Sequence, residues 1–208
     1  MRETADFGNG AWSGPRLKKS MRILIIGQSK SGKSSFAQKK AVSLANGSPL
    51  YYWAAMEPRD TEDEVRIERH RRDREGLGFR TVEEGRELLR CLSRIEKNGT
   101  VLFDSLTAYL SNTLFSEELL GTGDLLPEPQ ETVRRMEEKA EDCLLALRTV
   151  SLHPSRFLLV ADDIFRDGCR YDELTESYRR LMAHMLRTLA AEFDEVYECA
   201  AGIPLRLK

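Results

Sequence analysis

The sequence predicts a three-layer α/β/α fold with a mostly parallel central sheet. Short apolar runs rich in β-branched and aromatic residues alternate along the chain with longer segments of helical periodicity, which is the order of successive βα units. The runs are apolar almost throughout, as expected for strands that are buried on both faces. A glycine-containing loop joins the first run directly to the first helical segment. Helices should therefore cover both faces of the sheet.

Length and charge favour a single domain without a general affinity for polyanions. The chain has 208 residues, and its 32 Lys and Arg residues against 34 Asp and Glu residues give a net charge of -2. This balance predicts no binding to nucleic acid or to a membrane surface, so any anion must be held locally.

No apolar run approaches the ~20 residues of a membrane-spanning helix, and the N-terminus lacks the apolar core of a secretory signal. The four cysteines show no CxxC spacing, which indicates neither a zinc site nor a disulfide framework. We therefore expect a cytoplasmic protein.

The individual elements follow from apolar runs, helical periodicity and breaker residues. Residues 1–20 contain Gly, Pro and Ser without periodicity, and we expect a flexible extension before a single domain at 21–208. Strands are predicted at 22–27, 50–54, 79–83, 100–104, 156–161 and 195–200. Helices are predicted at about 33–46, 61–74, 85–97, 106–115, 130–150 and 172–192, and an acidic loop at 117–130.

The helix at 130–150 carries an apolar stripe at alternating spacings of three and four residues. Its members are Val133, Met136, Ala140, Cys143, Leu147 and Val150. Packing on the sheet is the expected role of this stripe, and a subunit contact is the alternative.

The strongest motif is Gly-x-x-x-x-Gly-Lys-Ser at residues 27–34. Glycine lets such a loop point several backbone N–H groups at a phosphate chain, and the following helix adds the positive end of its dipole. Lys33 would contact the β- and γ-phosphates, and the Ser34 hydroxyl would coordinate Mg²⁺. An incidental glycine-rich turn is the alternative, but a buried strand before the loop and a helix after it are the context that the motif requires. The sequence therefore predicts a P-loop nucleotide triphosphatase-like domain. Its expected nucleotide contacts in this loop are Gly27, Gln28, Ser29, Lys30, Ser31, Gly32, Lys33, Ser34 and Ser35.

Mg²⁺ beside the triphosphate needs a carboxylate at the carboxyl end of a neighbouring strand. Asp104 ends the strand at 100–104, and the pair Asp162–Asp163 follows the strand at 156–161. Acidic residues at strand ends also cap helices, so the metal-binding and capping interpretations both stay open for each.

Beyond the phosphate loop, residues 21–208 resemble one family, the bifunctional adenosylcobinamide kinase/adenosylcobinamide-phosphate guanylyltransferases of cobalamin biosynthesis. The segments RIERHRRDR at 66–74 and FRTVE at 79–83 are similar to the family's RIxxHRxxRP and WRTxE. VLFDSLTAYLSN at 101–112 is similar to LLDxLTxWxxN, and DEVY at 194–197 with AGIPLRLK at 201–208 is similar to the family's C-terminal ending.

The resemblance implies two activities. The enzyme would phosphorylate the aminopropanol hydroxyl of adenosylcobinamide, then take GMP from GTP onto a histidine and pass it to the new phosphate. His70 matches the guanylylated histidine, and Arg66 and Glu83 are implied as further nucleotide contacts. A corrinoid acceptor, GTP (with ATP possible for the kinase step) and a homo-oligomer are also implied.

The catalytic and metal-binding residues follow from the motif and the resemblance together. Lys33 and Asp104 join His70 as candidate catalytic residues, and Mg²⁺ is the expected cofactor. Asp163 stands where the family has a glutamate, so Ser34, Asp104 and Asp163 are the candidate metal ligands.

His70 also has suitable chemistry of its own. An imidazole with a pKa near ~6.5 is largely neutral at pH 7 and is a competent nucleophile toward phosphorus. Arginines at 66, 69, 71 and 74 could neutralise a departing pyrophosphate. The alternative is a solvated helix face on which arginines alternate with acidic residues and the histidine is incidental.

The sequence departs from the family after the strand that ends at Ala161. The family has Asn-Glu-Val-Gly-x-Gly where this chain has DDIFRDG at 162–168, and the Arg-Pro after the histidine segment is Arg74-Glu75 here. The nucleotide loop and His70 are intact, so the difference falls on the acceptor side. A small-molecule P-loop kinase of another kind and a non-catalytic GTP- or ATP-binding regulator are the alternative functions.

Overall fold

A computed structural model describes residues 20–58, 60–121 and 128–208, except for the side chain of Arg66. Its strands are β1 Met21–Gly27, β2 Leu50–Ala54, β3 Arg80–Glu83, β4 Thr100–Asp104, β5 Arg156–Asp162, β6 Glu195–Ala200 and β7 Ile203–Arg206. Its α-helices are α1 Lys33–Ala45, α2 Thr61–Arg72, α3 Leu106–Leu114, α4 Glu117–Leu120, α5 Pro129–Ser151 and α6 Glu173–Glu192. A 3₁₀ helix spans Leu88–Arg94.

The strands form one sheet in the order β3-β2-β4-β5-β1-β6-β7. The first six strands are mutually parallel, and β7 pairs antiparallel with β6. The predicted α/β fold with a mostly parallel sheet is therefore confirmed.

Two apolar cores lie on opposite faces of this sheet. On one face, Ile23 and Ile25 of β1 are fully buried in the same cluster as Ala37 and Ala41 of α1. On the other face, Leu24 lies in the larger cluster to which α3, α5 and α6 contribute. Successive strand residues point to opposite faces, so a continuous apolar run supplies both cores at once. This is the physical reason for the uninterrupted apolar strands.

The apolar stripe of α5 packs inside the protein as expected. Its buried members belong to the cluster that contains the β5 residues Phe157 and Leu159, and α5 also contacts α3 and α6. Val133 at the start of the stripe is half-buried.

Two predicted elements differ in the structure. The helix expected at 85–97 is reduced to the short 3₁₀ helix, because the Glu84 carboxylate accepts from the backbone N–H groups of Arg86 and Glu87 at 2.9 Å each and holds the chain in a turn. The acidic loop expected at 117–130 contains the short helix α4, and the first residues of α5 fall within it. Residues 122–127 of this loop lie outside the described part.

The sheet also has a strand that the sequence did not predict. The strand at 195–200 was expected to be the last, but β7 follows after a turn at Ala201 and Gly202. Both turn residues have positive φ, 49° and 80°, a combination usually signalled by Asn-Gly or Gly-Gly. Alanine at the first position and Pro204 within the strand made the hairpin signal weak.

The N-terminal side of the domain includes one residue of the expected extension. Ser20 is buried and donates its hydroxyl to the carbonyl oxygens of Pro154 at 2.7 Å and Ser151 at 3.0 Å. Residues 1–19, the rest of that expected extension, lie outside the described part. Within the described ranges, no helix has both the length and the apolar character needed to cross a membrane.

Candidate functional site

The carboxyl ends of the parallel strands bring the predicted site residues to one edge of the sheet. Gly27 at the end of β1 pairs with Asp162 at the end of β5. Ala54 at the end of β2 pairs with Asp104 of β4 and with Glu83 of β3. Ligands of open parallel sheets bind at this edge, so the acidic residues and the phosphate loop share the expected location.

The phosphate loop is closely packed at its two glycines. A Cβ on Gly27 would lie 2.5 Å from Ser31 Oγ and 2.7 Å from the carbonyl oxygen of Cys199, too close for any side chain. Gly32 precedes α1 with a φ of 89°, and its Cβ would lie 3.0 Å from the Cα of Gly202. The Gly202 N–H also donates to the Ser31 carbonyl oxygen at 2.9 Å. The β6–β7 turn therefore packs against the phosphate loop and fixes its position.

The loop presents donors that suit a phosphate chain. At the described start of α1 no side chain caps the helix, so its first backbone N–H groups are available to an anion. Ser29 and Lys30 are exposed, and Lys30 has a φ of 61°. Ser34 is half-buried and Ser35 exposed in the first turn.

Lys33 lies at the centre of the site. It is 9% exposed, its Nζ lies 2.7 Å from Asp162 Oδ1, and it donates to the Gln28 carbonyl oxygen at 3.3 Å. The Asp162 backbone N–H is in turn anchored to the Thr107 hydroxyl of α3 at 2.8 Å. The loop lysine is thus already paired with a carboxylate from the neighbouring strand.

Asp104 ends β4, the strand next to β5, and its pKa reflects these surroundings. Burial raises the pKa of Asp104 above its ordinary value, and Asp162 raises it further, against the opposing effects of the Tyr52 hydrogen bond, His70 and Lys33. Tyr52 donates its hydroxyl to Asp104 Oδ2 at 2.9 Å. Burial first, and then Asp104, hold the pKa of Tyr52 well above its ordinary value, so the phenol keeps its proton and acts as a donor.

His70 lies in the last turn of α2, half-buried. It lines a cavity of about 530 Å³, a volume in the range of small-molecule sites. The cavity is formed between α2 and the ends of β2, β3 and β4, and its walls include Tyr52, His70, Arg74, Glu83, Asp104 and Ser105. The histidine and the β4 carboxylate, 34 residues apart in sequence, therefore face one space.

A buried arginine forms one wall of this cavity. Arg74 is 8% exposed, and its guanidinium lies 3.5 Å from the centroid of the Tyr52 ring. Within the described residues, its Nη1 atom is buried without a hydrogen-bond partner. The side chain of Arg66 lies outside the described part, so its predicted nucleotide contact stays a prediction.

Two predicted residues are engaged in ion pairs of their own. The exposed Glu83 carboxylate at the cavity rim accepts from Arg71 Nη2 at 2.7 Å. Asp163 Oδ2 lies 2.6 Å from Arg166 Nε, and its backbone N–H donates to the Gly27 carbonyl oxygen at 3.0 Å. The nucleotide role of Glu83 and the metal role of Asp163 stay predictions.

Sequence reasoning left one residue of the site undecided and missed another. Asp162, rather than Asp163, faces Lys33, and Tyr52 holds Asp104. The sequence indicates an acidic pair at 162–163, but which of the two faces Lys33 depends on the register with Gly27. Tyr52 gave no signal beyond being an aromatic residue in a buried strand.

The donor set at this edge suits a hard divalent cation. Mg²⁺ in nucleotide sites takes one or two carboxylates and completes its coordination with phosphate and water oxygens. Ser34, Asp104 and Asp162 offer oxygen donors of this kind. Within the described residues, no group of three or more His, Cys, Asp or Glu side chains forms a metal centre of its own.

Comparison with known proteins gives a clear sequence match. The model of the cobinamide kinase/cobinamide phosphate guanyltransferase family matches residues 23–207. The bifunctional adenosylcobalamin biosynthesis protein CobP of Pseudomonas aeruginosa is 30% identical over 189 residues, which cover 90% of this chain and 98% of that protein. The protein CobU of Escherichia coli, with the same description, is 27% identical over 190 residues, 90% of this chain and 100% of that protein.

Solved structures give a weaker likeness. The flagellar accessory protein FlaH of Methanocaldococcus jannaschii has a TM-score of 0.42 at 10% identity and covers 92% of this chain and 79% of its own. A KaiC-like protein of Pyrococcus horikoshii has a TM-score of 0.40 at 16% identity, covering 86% of this chain and 71% of its own. The family assignment rests on the sequence matches alone.

Proposed function

Because this chain belongs to the cobinamide kinase/cobinamide phosphate guanyltransferase family, we propose that it activates a corrinoid in two nucleotide-dependent steps. It phosphorylates the aminopropanol hydroxyl of adenosylcobinamide and then transfers GMP from GTP to that phosphate. The observation that carries this proposal is the shared space at the sheet edge. His70 and Asp104 line one cavity, and Asp104 ends β4 at the sheet edge from which the phosphate loop leaves β1.

In the kinase step, the loop holds the triphosphate and the acceptor hydroxyl displaces the β,γ-bridging oxygen at the γ-phosphorus. Backbone N–H groups at the start of α1 and the Lys33 ammonium stabilise the charge on the phosphates. Lys33 is buried, and its ammonium is held between Asp162 and the Gln28 carbonyl, at the start of α1 where the phosphates are expected to bind.

In the guanylyl step, neutral His70 attacks the α-phosphorus of GTP, and the α–β bond breaks to release pyrophosphate. The phosphate of the corrinoid then attacks the same phosphorus, and the P–N bond breaks to restore the imidazole. Arg74 suits the departing charge, because its guanidinium is buried in the cavity wall with Nη1 unpartnered within the described residues.

Mg²⁺, held by Ser34 and the strand-end carboxylates, would neutralise phosphate charge in both steps. Tyr52 keeps Asp104 oriented for that role through its hydroxyl. The same family membership supports a homo-oligomer, whose mass light scattering would measure.

The decisive experiment is incubation with GTP labelled at the α-phosphate, followed by denaturation. A phosphoramidate on histidine is acid-labile and alkali-stable, unlike a carboxyl–phosphate anhydride, so the expected label survives alkali and is lost in acid. Label at the γ-phosphate should never remain on the protein. His70→Ala should remove the adduct and leave phosphorylation of cobinamide measurable.

His184→Ala is the matched control, because His184 lies on α6 beside Glu141, away from the cavity. Label that persists in His70→Ala would place the adduct on another residue and remove the role of His70. No label on the wild type would leave a plain phosphate-loop kinase or a nucleotide-binding regulator.

A further inference from the structure

Lys33 and Asp162 form an ion pair where the triphosphate is expected to bind. The Nζ–Oδ1 distance is 2.7 Å, and the two side chains are 11% and 31% exposed. The pair is therefore largely shielded from solvent, where charge interactions are stronger than at an open surface. The Lys33 ammonium, which a bound phosphate would have to contact, is therefore already paired with the Asp162 carboxylate.

Nucleotide binding has to disturb this pair. When phosphate oxygens replace Asp162 as the partner of Lys33, the carboxylate is left beside a polyanion at close range. The Asp162 backbone is fixed through its N–H to Thr107, and its residue pairs in register with Gly27. The carboxylate therefore has limited freedom to move away, and like charges in this partly buried place are unfavourable.

A second carboxylate adds to the repulsion between Asp162 and the phosphates. Asp104 ends β4, the strand next to β5, and is a second acidic residue at this edge. When Lys33 turns to the phosphates, Asp162 loses its ion-pair partner beside this second acidic residue, which favours the arrival of another cation. The oxygen donors at this edge suit a divalent cation, as described above.

We propose that Asp162 makes nucleotide binding conditional on a divalent cation. Without the cation, Asp162 retains Lys33 and repels the phosphates. With the cation, the charge of Asp162 is compensated and Lys33 is released to the phosphates. The proposal rests on the proposed function, because it assumes that phosphates bind in the loop at 27–34. Asp162 acts here as a positioning residue for Lys33.

The test is calorimetric titration with α,β-methylene GTP, in which His70 cannot break the α–β bond. Affinities are measured at equal ionic strength in excess Mg²⁺ and in EDTA. The wild type should bind at least about tenfold more weakly in EDTA, the usual scale of coupling between two ligands. Asp162→Asn should bind about tenfold more tightly than the wild type in EDTA, which shrinks the ratio between the two conditions.

Asp167→Asn is the matched control, since it is the same substitution five residues on. Its carboxylate accepts from the Tyr171 hydroxyl at 2.8 Å rather than contacting Lys33, so its ratio should equal that of the wild type. Thermal unfolding checks that both variants fold.

The outcomes separate the two proposals. Equal wild-type affinities with and without Mg²⁺ would overturn the role of Asp162 even if the variant did not fold. An unchanged ratio in folded Asp162→Asn, or the same change in Asp167→Asn, would also overturn it while the nucleotide site stands. A wild type that fails to bind the analogue in Mg²⁺ would overturn both the role of Asp162 and the proposed function.

Discussion

The Tyr52 hydroxyl donates a hydrogen bond to Asp104 Oδ2 at 2.9 Å, across the neighbouring strands β2 and β4. The Arg74 guanidinium stacks on the face of the Tyr52 ring, 3.5 Å from the ring centroid. The phenol thus links the buried arginine to the carboxylate at the end of β4. Its hydrogen bond favours the ionised form of Asp104 in a place where burial disfavours it.

Replacing Tyr52 by Phe should shift the pH dependence of turnover. The hydrogen bond lowers the pKa of Asp104, so its loss raises that pKa further. If ionised Asp104 is the active form, the acidic limb of the kcat/KM profile moves to higher pH. The loss of activity should therefore grow as the pH falls, and a profile measured between acidic and alkaline pH checks this.

Tyr51→Phe provides the control for this experiment. The Tyr51 hydroxyl donates to Glu96 Oε1 at 3.1 Å, and Glu96 is an exposed residue outside the cavity. The substitution removes the same atom from the preceding residue of β2 and should leave the profile unshifted. A shift of equal size in both variants would contradict the role assigned to Tyr52.

Asp104→Asn should stabilise the folded protein at neutral and alkaline pH. Because the pKa of Asp104 is raised in the folded state, its contribution to stability is fully present below the ordinary Asp pKa and is lost as pH rises through the raised value. The neutral asparagine avoids this loss and still accepts from Tyr52. The melting temperature of the variant should exceed that of the wild type at pH 8, with the difference diminishing in acid. A variant that is less stable at pH 8 would show that the charge itself stabilises the fold.

The same substitution should cost more activity than Asp163→Asn. Asp104 lines the cavity of His70, whereas Asp163 is paired with Arg166 at 2.6 Å. We expect Asp104→Asn to reduce kcat by about 10²-fold, the scale of removing one electrostatic group from an active site, and Asp163→Asn to reduce it less. Measuring both over a range of Mg²⁺ concentrations tests the ranking. It is wrong if added Mg²⁺ rescues only Asp163→Asn.

Lys33→Ala should abolish productive use of the triphosphate while the protein stays folded. The ammonium is the charge that meets the phosphates, and its loss should cost about 10²-fold or more in turnover. Lys39→Ala is the control, because Lys39 is exposed on α1 beyond the loop at 27–34. Wild-type turnover by a folded Lys33→Ala variant would show that the triphosphate does not bind in the phosphate loop.

Gly32→Ala should impair nucleotide binding more than Gly47→Ala. Both glycines have positive φ, 89° and 84°, so alanine at either position is strained by about 1–2 kcal/mol. Only Gly32 also meets another backbone, because its Cβ would lie 3.0 Å from the Gly202 Cα, whereas nothing lies within 4 Å at Gly47. Similar melting temperatures with a selective loss of nucleotide affinity in Gly32→Ala would fit this difference. Equal affinities in the two variants would mean that the β6–β7 turn does not hold the loop in place.

The local elements were predictable because their causes are local. A buried strand, a glycine loop and a helix are encoded within residues 21–45, and the structure has β1 and α1 there. The strands β2 and β4 have the bounds that their apolar runs predicted. The 3₁₀ helix and β7 were not predicted, since one depends on a carboxylate that captures backbone N–H groups and the other on a turn with two positive φ values.

The sequence by itself determined the fold class, the phosphate loop and the presence of acidic residues at strand ends. Only the tertiary structure decided which of them meet. The strand order places β5 between β4 and β1, so Asp162 lies beside the loop that carries Lys33 and Asp104 lies one strand further along the same edge. Alternate residues of a strand point to opposite sides, so the register with β1 directs Asp162 rather than Asp163 toward the lysine. Such pairing is set by the burial of distant apolar segments against one another, which no local pattern specifies.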